Sequence, residues 1–296
     1  MTGPAPRIRE GESFADLHLH TRYSDGTYSP KELVGSAVAN RLAAISLTDH
    51  DTVEGCEETA ALCAAAGIEF ITGTELTAEH GGTELHILGY HIDTSSPALL
   101  SAMGRFQTAR QERIKEMVSR LNEMDIPLTT DAVMSLANCR SPGRPHVGLA
   151  LVRAGICASV DEAFDRFLKK HRPAWVPKML LSAVDAISLI HAAGGVAVIA
   201  HPGLNRIDSS ISSLVEAGLD GIECLHSKHT PVMTDRYGAL ARRLGLLITG
   251  GSDCHGFIKG TPLMGTIKLP YHYVTSLGEK AASRAQKSSP LTEIQH

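Results

Sequence analysis

Several short apolar runs of this 296-residue chain end in residues that hold metals or move protons. They are Asp16-Leu-His-Leu-His-Thr, with Asp25 close behind, Thr48-Asp-His-Asp-Thr, Gly73-Thr-Glu-Leu-Thr, Glu84-Leu-His-Ile-Leu-Gly, Ala200-His-Pro-Gly and Ser252-Asp-Cys-His-Gly. Imidazole is the commonest neutral-pH acid/base and the commonest metal ligand, and the chain holds 15 histidines. His18 and His20 are two apart, so on a strand both point to one face and meet one ion; Asp253 and His255 repeat that spacing. Imidazole and carboxylate without thiolate suit zinc, manganese or iron(II). The candidates His18, His20, Asp25, His50, Glu75, His86, His201, Asp253 and His255 exceed what one open site needs. Two or three divalent ions are therefore expected, with Glu75 as the bridging carboxylate.

These residues need a scaffold that brings strand ends together. Ser29-Pro-Lys-Glu supplies an N-cap with proline at the first helical position, and the helix through Leu33, Val34, Ala37 and Val38 leads into the strand Ala43-Ala-Ile-Ser-Leu-Thr. A helix over Glu57 to Ala66 then stops at Gly67 before the strand Ile68-Glu-Phe-Ile-Thr-Gly. Further strands are read at Val196-Ala-Val-Ile-Ala, Gly221-Ile-Glu-Cys-Leu and Leu246-Leu-Ile-Thr-Gly, after a helix from Ser182 to Ala193. Helices alternating with short strands predict an α/β fold with mainly parallel strands, most simply a barrel with its chemistry at the carboxyl ends of the strands. The alternation lapses between about Pro97 and Arg172, where Ile114, Met117, Val118 and Leu121 recur at helical spacing. The expected organisation is a discontinuous barrel over 14–97 and 173–275, a helical insertion over 98–172 covering the active site, and a helix or disordered tail over 276–296.

Charge and composition narrow the function. With 28 basic and 32 acidic residues the net charge is −4, and no Lys/Arg-rich run stands out, so bulk binding of duplex nucleic acid or an anionic membrane is not expected. No signal peptide or membrane-spanning run is read, and the six cysteines show no CxxC spacing, which predicts reduced thiols and a cytoplasmic protein.

His18-Leu-His, Asp25, Thr48-Asp-His-Asp, Glu75, His86, Ala200-His-Pro-Gly and Ser252-Asp-Cys-His, in this order, resemble the PHP (polymerase and histidinol phosphatase) superfamily of metal-dependent phosphoesterases. The resemblance implies a distorted (β/α)7 barrel. It also implies a trinuclear centre in which His18, His20, Glu75 and Asp253 hold one ion, Glu75, His86 and His201 a second, and Asp25, His50 and His255 a third. The helical stretch resembles that of the subgroup containing 3′,5′-nucleoside bisphosphate phosphatases and a 5′-to-3′ oligoribonuclease. Gly143-Arg-Pro-His resembles its Arg-x-His substrate motif, and Ser227-Lys-His-Thr a segment whose histidine faces the active site. Arg144 and His146 are thus candidates for a second phosphate, His229 for the scissile phosphate and leaving oxygen, and Lys178 for further substrate contact. The implied reaction is phosphoester hydrolysis by hydroxide generated at the ions, with Asp253 orienting the attacking water. The substrate is expected to be a small phosphorylated molecule, a nucleotide or short oligonucleotide.

Asp16, Asp49 and Asp51 are read as acceptors that orient histidine N–H groups rather than as ligands. Cys254, between two ligands, is expected to be buried pointing away from the ions. A three-residue offset in a loop leaves the direction of His226 open. Histidinol phosphatase is the alternative function: an acidic pocket with no second-phosphate site would favour it, and the Arg144/His146 pair leans against it. A non-catalytic metal-binding module is a third reading, against which the full ligand set argues.

Overall fold

A computed structural model describes residues 13–205 and 207–288. The readings made above for residues 1–12 and for the tail beyond Ser288 lie outside them. The chain runs β1 (Phe14–Leu19), α1 (Pro30–Ala39), β2 (Ala44–Leu47), α2 (Cys56–Ala66), β3 (Glu69–His80) and β4 (Thr83–Tyr90). A helical stretch follows: α3 (Pro97–Asn122), α4 (Thr130–Ala137), α5 (Arg144–Arg153), α6 (Val160–Ala163) and a π-helical turn at Phe164–Leu168. Then come β5 (Leu181–Ser182), α7 (Ala183–Ala192), β6 (Val196–Ile199), α8 (Pro202–Asn205), α9 (Ile211–Glu216), β7 (Gly221–His226), α10 (Pro231–Leu244), β8 (Leu247–Gly251), β9 (Leu269–Pro270) and α11 (His272–Ser288).

The capping signals act as read. Ser29 Oγ accepts the Glu32 N–H while Glu32 Oε2 accepts the Ser29 N–H at 2.8 Å, which opens α1 at its proline, and Gly67 closes α2 at φ +70°. The strands line up as β8-β7-β6-β4-β3-β2-β1-β9, with β5 beside β3. β1 meets the chain after β8 through the Leu19–Cys254 bridge, so the sheet curls into a nearly closed barrel. That closure needs a glycine: a Cβ on Gly251 would lie 2.3 Å from His18 Cβ.

Two strands, β9 and β4, depart from the mainly parallel expectation. β9 is antiparallel to β1, and β4 is antiparallel to β6 and forms an antiparallel hairpin with β3. The turn is Gly81-Gly82, both with positive φ, the two-residue hairpin signal that the alternation of helices and strands had masked.

β2 and β6 are buried throughout, as strands covered on both faces must be. Val274 and Leu277 of α11 pack with Ala15, Leu17, Ile71, Leu88 and Val198 of the barrel. The helical stretch gathers its own apolar cluster, including Ile114, Met117, Val118, Leu121, Val147, Leu151 and Leu168. All six cysteines are free thiols and Cys254 is fully buried. Among the described residues no helix is long and apolar enough to cross a membrane.

Candidate active site

The pleat of β1 turns His18 inward and the ladder delivers the other groups to the same rim. His20 follows β1, His50 follows β2, Glu75 and His86 sit within β3 and β4, His201 follows β6, and Asp253 and His255 follow β8. All nine sequence-predicted ligands converge. Glu75, 1% exposed, is the hub. Its Oε1 lies 2.7 Å from His86 Nδ1 and 3.1 Å from His201 Nε2; its Oε2 lies 3.3 Å from both His18 Nε2 and His20 Nε2 and 3.1 Å from His50 Nδ1. Asp253 Oδ1 faces His18, His20 and His255 at 3.6, 3.2 and 3.4 Å. Asp25 faces His255 Nε2 at 3.2 Å and His50 Nε2 at 3.9 Å.

His18 Nε2, both ring nitrogens of His20, His50 Nδ1 and Glu75 Oε2 are buried and make no hydrogen bond, although carboxylate oxygens stand close. Buried polar atoms left in this state are costly. Their lone pairs converge, as ligands around shared cations do, and His20, Asp25, His50 and His255 form one four-ligand group within 4.8 Å. The residues present therefore fit divalent ions.

Protonation is set by burial against charge. Burial pushes His50 down to about 3. Burial opposes the proton on His86 too, but the Glu75 and Glu84 carboxylates together outweigh it and raise His86 to about 9. Burial would lift Glu75, yet His50, His86 and His18 hold it well below the carboxylate range.

Backbone strain fixes two of the ligands. His201 and Asp253 have φ of +28° and +54°, conformations that persist only where anchors over-determine them. The His201 N–H donates to Glu223 Oε2 at 2.7 Å and the Asp253 N–H to the His18 carbonyl at 2.9 Å.

The ring-orienting role expected of three aspartates belongs elsewhere. Asp16 accepts the Ser252 N–H, Asp49 accepts from Thr21 and Ser24, and Asp51 accepts from Thr77 and Arg110. They secure loops rather than imidazoles, because their positions in strand and loop turn them toward backbone donors. Burial lifts Asp16 to about 6 and Asp49 to about 7. The carboxylate that orients His18 is Glu223, fully buried, 2.9 Å from His18 Nδ1. Its signal was present: a lone acid inside the apolar strand Gly221-Ile-Glu-Cys-Leu. His226 resolves inward, its Nε2 3.5 Å from Asp253 Oδ2.

A cavity of about 660 Å³ opens from this rim toward the helical stretch. Arg110, Arg113, Arg144, Lys169 and Lys178 line it with Glu84, Phe164, Leu204 and Ile258. Lys178 Nζ pairs with Glu84 at 2.7 Å. Arg144 donates to the Leu168 carbonyl at 3.3 Å and lies over the Phe164 ring. Arg113, which sequence reasoning passed over, donates from Nε to the Val176 carbonyl at 2.9 Å, while its buried Nη2 has no hydrogen-bond partner. Burial, with Arg144 and Arg110 nearby, pushes it down to about 9.

The two histidines expected to touch substrate sit behind this lining. His146 Nδ1 accepts the Gly143 N–H at 3.0 Å. His229 donates from Nδ1 to the Cys224 carbonyl at 2.9 Å, and its Nε2 accepts the Gly203 N–H at 3.3 Å. Both nitrogens of His229 are thus occupied, Nδ1 in anchoring the ring to β7 and Nε2 in holding the turn after His201.

Comparison with known proteins points the same way. The family model described as PHP domain matches residues 16–169. The chain is 35% identical over 248 residues, 81% of its length and 86% of the relative's, to the 3′,5′-nucleoside bisphosphate phosphatase of Chromobacterium violaceum. It is 33% identical over 245 residues, 81% of its length and 89% of the relative's, to the 5′-3′ exoribonuclease of Haemophilus influenzae. A solved structure from Bifidobacterium adolescentis, described as a metal-dependent phosphoesterase, superposes with a TM-score of 0.83 at 33% identity, covering 90% of this chain and 95% of that one.

Proposed function

Because the chain belongs to the PHP family and is a phosphoester hydrolase, we propose that it removes the 3′-phosphate of a nucleoside 3′,5′-bisphosphate. The observation that carries this reading is one cavity lined both by the imidazole–carboxylate rim and by the cations Arg113, Arg144 and Lys178. A substrate with a phosphate at each end satisfies both. We assign His18, His20, Glu75 and Asp253 to one divalent ion, Glu75, His86 and His201 to a second, and Asp25, His50 and His255 to a third, with manganese, iron or zinc as candidates.

Such ions supply Lewis-acid chemistry, acidifying water toward hydroxide and offsetting charge that builds on phosphoryl oxygens. The protein's part is placement. Arg113 and Arg144, which line the cavity, grip the far phosphate, where guanidinium matches phosphate geometry. This aims the scissile ester at the rim. Asp253 takes the proton of the attacking water on Oδ2, whose other neighbour is His226. His229 acts at one remove by keeping the His201 turn in place, and no covalent phosphoenzyme is needed.

Short 5′-phosphorylated RNA is the second substrate in view, and one observation favours it. Phe257 is 65% exposed beside Ile258 of the cavity lining, offering a stacking face to a further nucleotide. Histidinol phosphatase is not favoured: the two named relatives act on nucleotides and RNA, and a cationic amine would meet a cationic pole. Phosphate release in the presence of manganese is to be compared for 3′-phosphoadenosine 5′-phosphate, a 5′-phosphorylated RNA trimer and histidinol phosphate. The bisphosphate is expected to turn over fastest, and activity confined to histidinol phosphate overturns the assignment.

A further inference from the structure

We propose that Arg110 and Ser141 of the helical stretch are positioning residues for the cation position assigned above to Asp25, His50 and His255, with His20 beside it. Docking of the helices would thus complete that position. The inference rests on the metal reading above but not on any choice of substrate.

The contacts are concentrated on two loops. Arg110 reaches from α3 to Asp51, the residue after His50, with Nε and Nη2 2.9 and 2.6 Å from Asp51 Oδ2. Its Nη2 also meets Thr77 Oγ1 at 3.2 Å, and its Nη1 holds the Pro142 carbonyl at 3.4 Å. Ser141, 1% exposed, donates from Oγ to the carbonyl of His50 itself at 2.8 Å. Gln107 and Arg140 take Glu54 at the far side of the same loop, at 3.3 and 3.1 Å. The second loop receives Cys139, whose thiol points to the carbonyl of Ser24, next to Asp25, at 3.3 Å. The loops seized by the helical stretch are thus those that carry His50 and Asp25, whereas His20 donates its N–H to the Cys254 carbonyl beside β8 and the His255 carbonyl accepts the Thr27 N–H of the Asp25 loop.

Stability alone is a weak reason for such an arrangement. A buried ion pair gives up the hydration of both charges, and well-packed apolar residues of like volume often serve as well. Asp51 also holds φ at +50°, a conformation unfavourable for a residue with a Cβ. Bonds from Arg110 and Thr77 keep it there, which sets the path of the chain through His50 and the direction of its ring.

Manganese content is to be measured by elemental analysis after equilibration at limiting Mn2+ for the parent, Arg110→Met, Ser141→Ala, Asp25→Asn and Arg113→Met. Mn2+ electron paramagnetic resonance would report spin coupling between neighbouring ions. Arg110→Met is expected to lose about one equivalent per chain, the same one lost by Asp25→Asn, with the coupled signal simplified. Arg113→Met is expected to keep the parent's content. Ser141→Ala, which removes only a hydroxyl, is expected to weaken that equivalent by roughly three- to tenfold, the scale of one hydrogen bond, and it decides the matter if Arg110→Met fails to fold. Parent-like ion content in Arg110→Met, unchanged affinity in Ser141→Ala, or an even loss of every equivalent overturns the inference. A parent protein that binds its ions but hydrolyses no nucleotide would sink the proposed substrate and leave this inference standing.

Discussion

Barrel rim and helical wall face each other across one cavity and hold their charges in different ways. The rim groups lie on strands or within a few residues of strand ends, so the hydrogen-bond ladder fixes them, and buried partners such as Glu223 lock the rings. The wall presents Arg113, Arg144 and Lys178 on long stems, two of them tied only to the carbonyls of Val176 and Leu168. Convergence on shared cations tolerates little displacement, whereas gripping a terminal phosphate needs charge and reach. The difference suggests that the rim sets whether the reaction runs and the wall which anion is accepted.

Charge removal at the hub tests that division most severely. Glu75→Gln keeps the shape but not the charge facing five imidazoles, and turnover is expected to fall on the order of 10³-fold, about 4 kcal/mol of barrel-rim contribution to the barrier. Steady-state kinetics beside circular dichroism would check it, and turnover within tenfold of the parent would break the comparison. Arg113→Met acts on the other pole. It should raise KM for a 3′,5′-bisphosphate roughly 10- to 100-fold, about 1.4–2.7 kcal/mol, with kcat little changed and a 3′-monophosphate spared. A fall in kcat alone would move Arg113 into the chemistry.

Gly251→Ala probes how closely the rim is built, since its new Cβ must displace His18 or spread β8 from β1. A loss of about 1–3 kcal/mol in urea unfolding is expected, together with weaker ion binding. The smallest effect is expected away from the rim, at the base of β7. Asp220 there accepts from His191 at 2.8 Å, the Ala197 N–H at 2.9 Å and Arg284 at 2.7 Å. Burial alone would raise its pKa, but the His191 bond, the Ala197 N–H and Arg284 bring it below the ordinary carboxylate value. Its stabilisation is therefore complete above the unfolded-state pKa of about 4 and is lost as pH falls through the lower folded-state value. Asp220→Asn should cost about 1–2 kcal/mol at neutral pH, with the two unfolding curves converging in acid and turnover unchanged. A gap that does not narrow as pH falls below about 4 would assign the effect to packing.

The rim was legible because strand periodicity is local. His18 and His20 share a face by their spacing alone, and apolar runs ending in Asp, Glu or His announce strand ends whatever the rest of the fold does. The helices were legible for the same reason, through Ser29-Pro30 at a start, Gly67 at a stop and the spacing from Ile114 to Leu121. The β3–β4 hairpin was less visible, since Gly81-Gly82 lay inside what read as a continuing alternation.

What the chain determined by itself is thus the periodic and the short-range: strands, helices, caps and the kind of chemistry its ligand types permit. Tertiary structure alone decided that Arg113 ends with a buried, unpartnered Nη2, that Glu223 rather than Asp16 orients His18, that His229 turns to Gly203, and that Arg110 on α3 meets Asp51 some sixty residues earlier. The physical reason is that a side chain's direction follows from its local backbone. Its partner follows from which distant segments pack against it, and no local spacing records that.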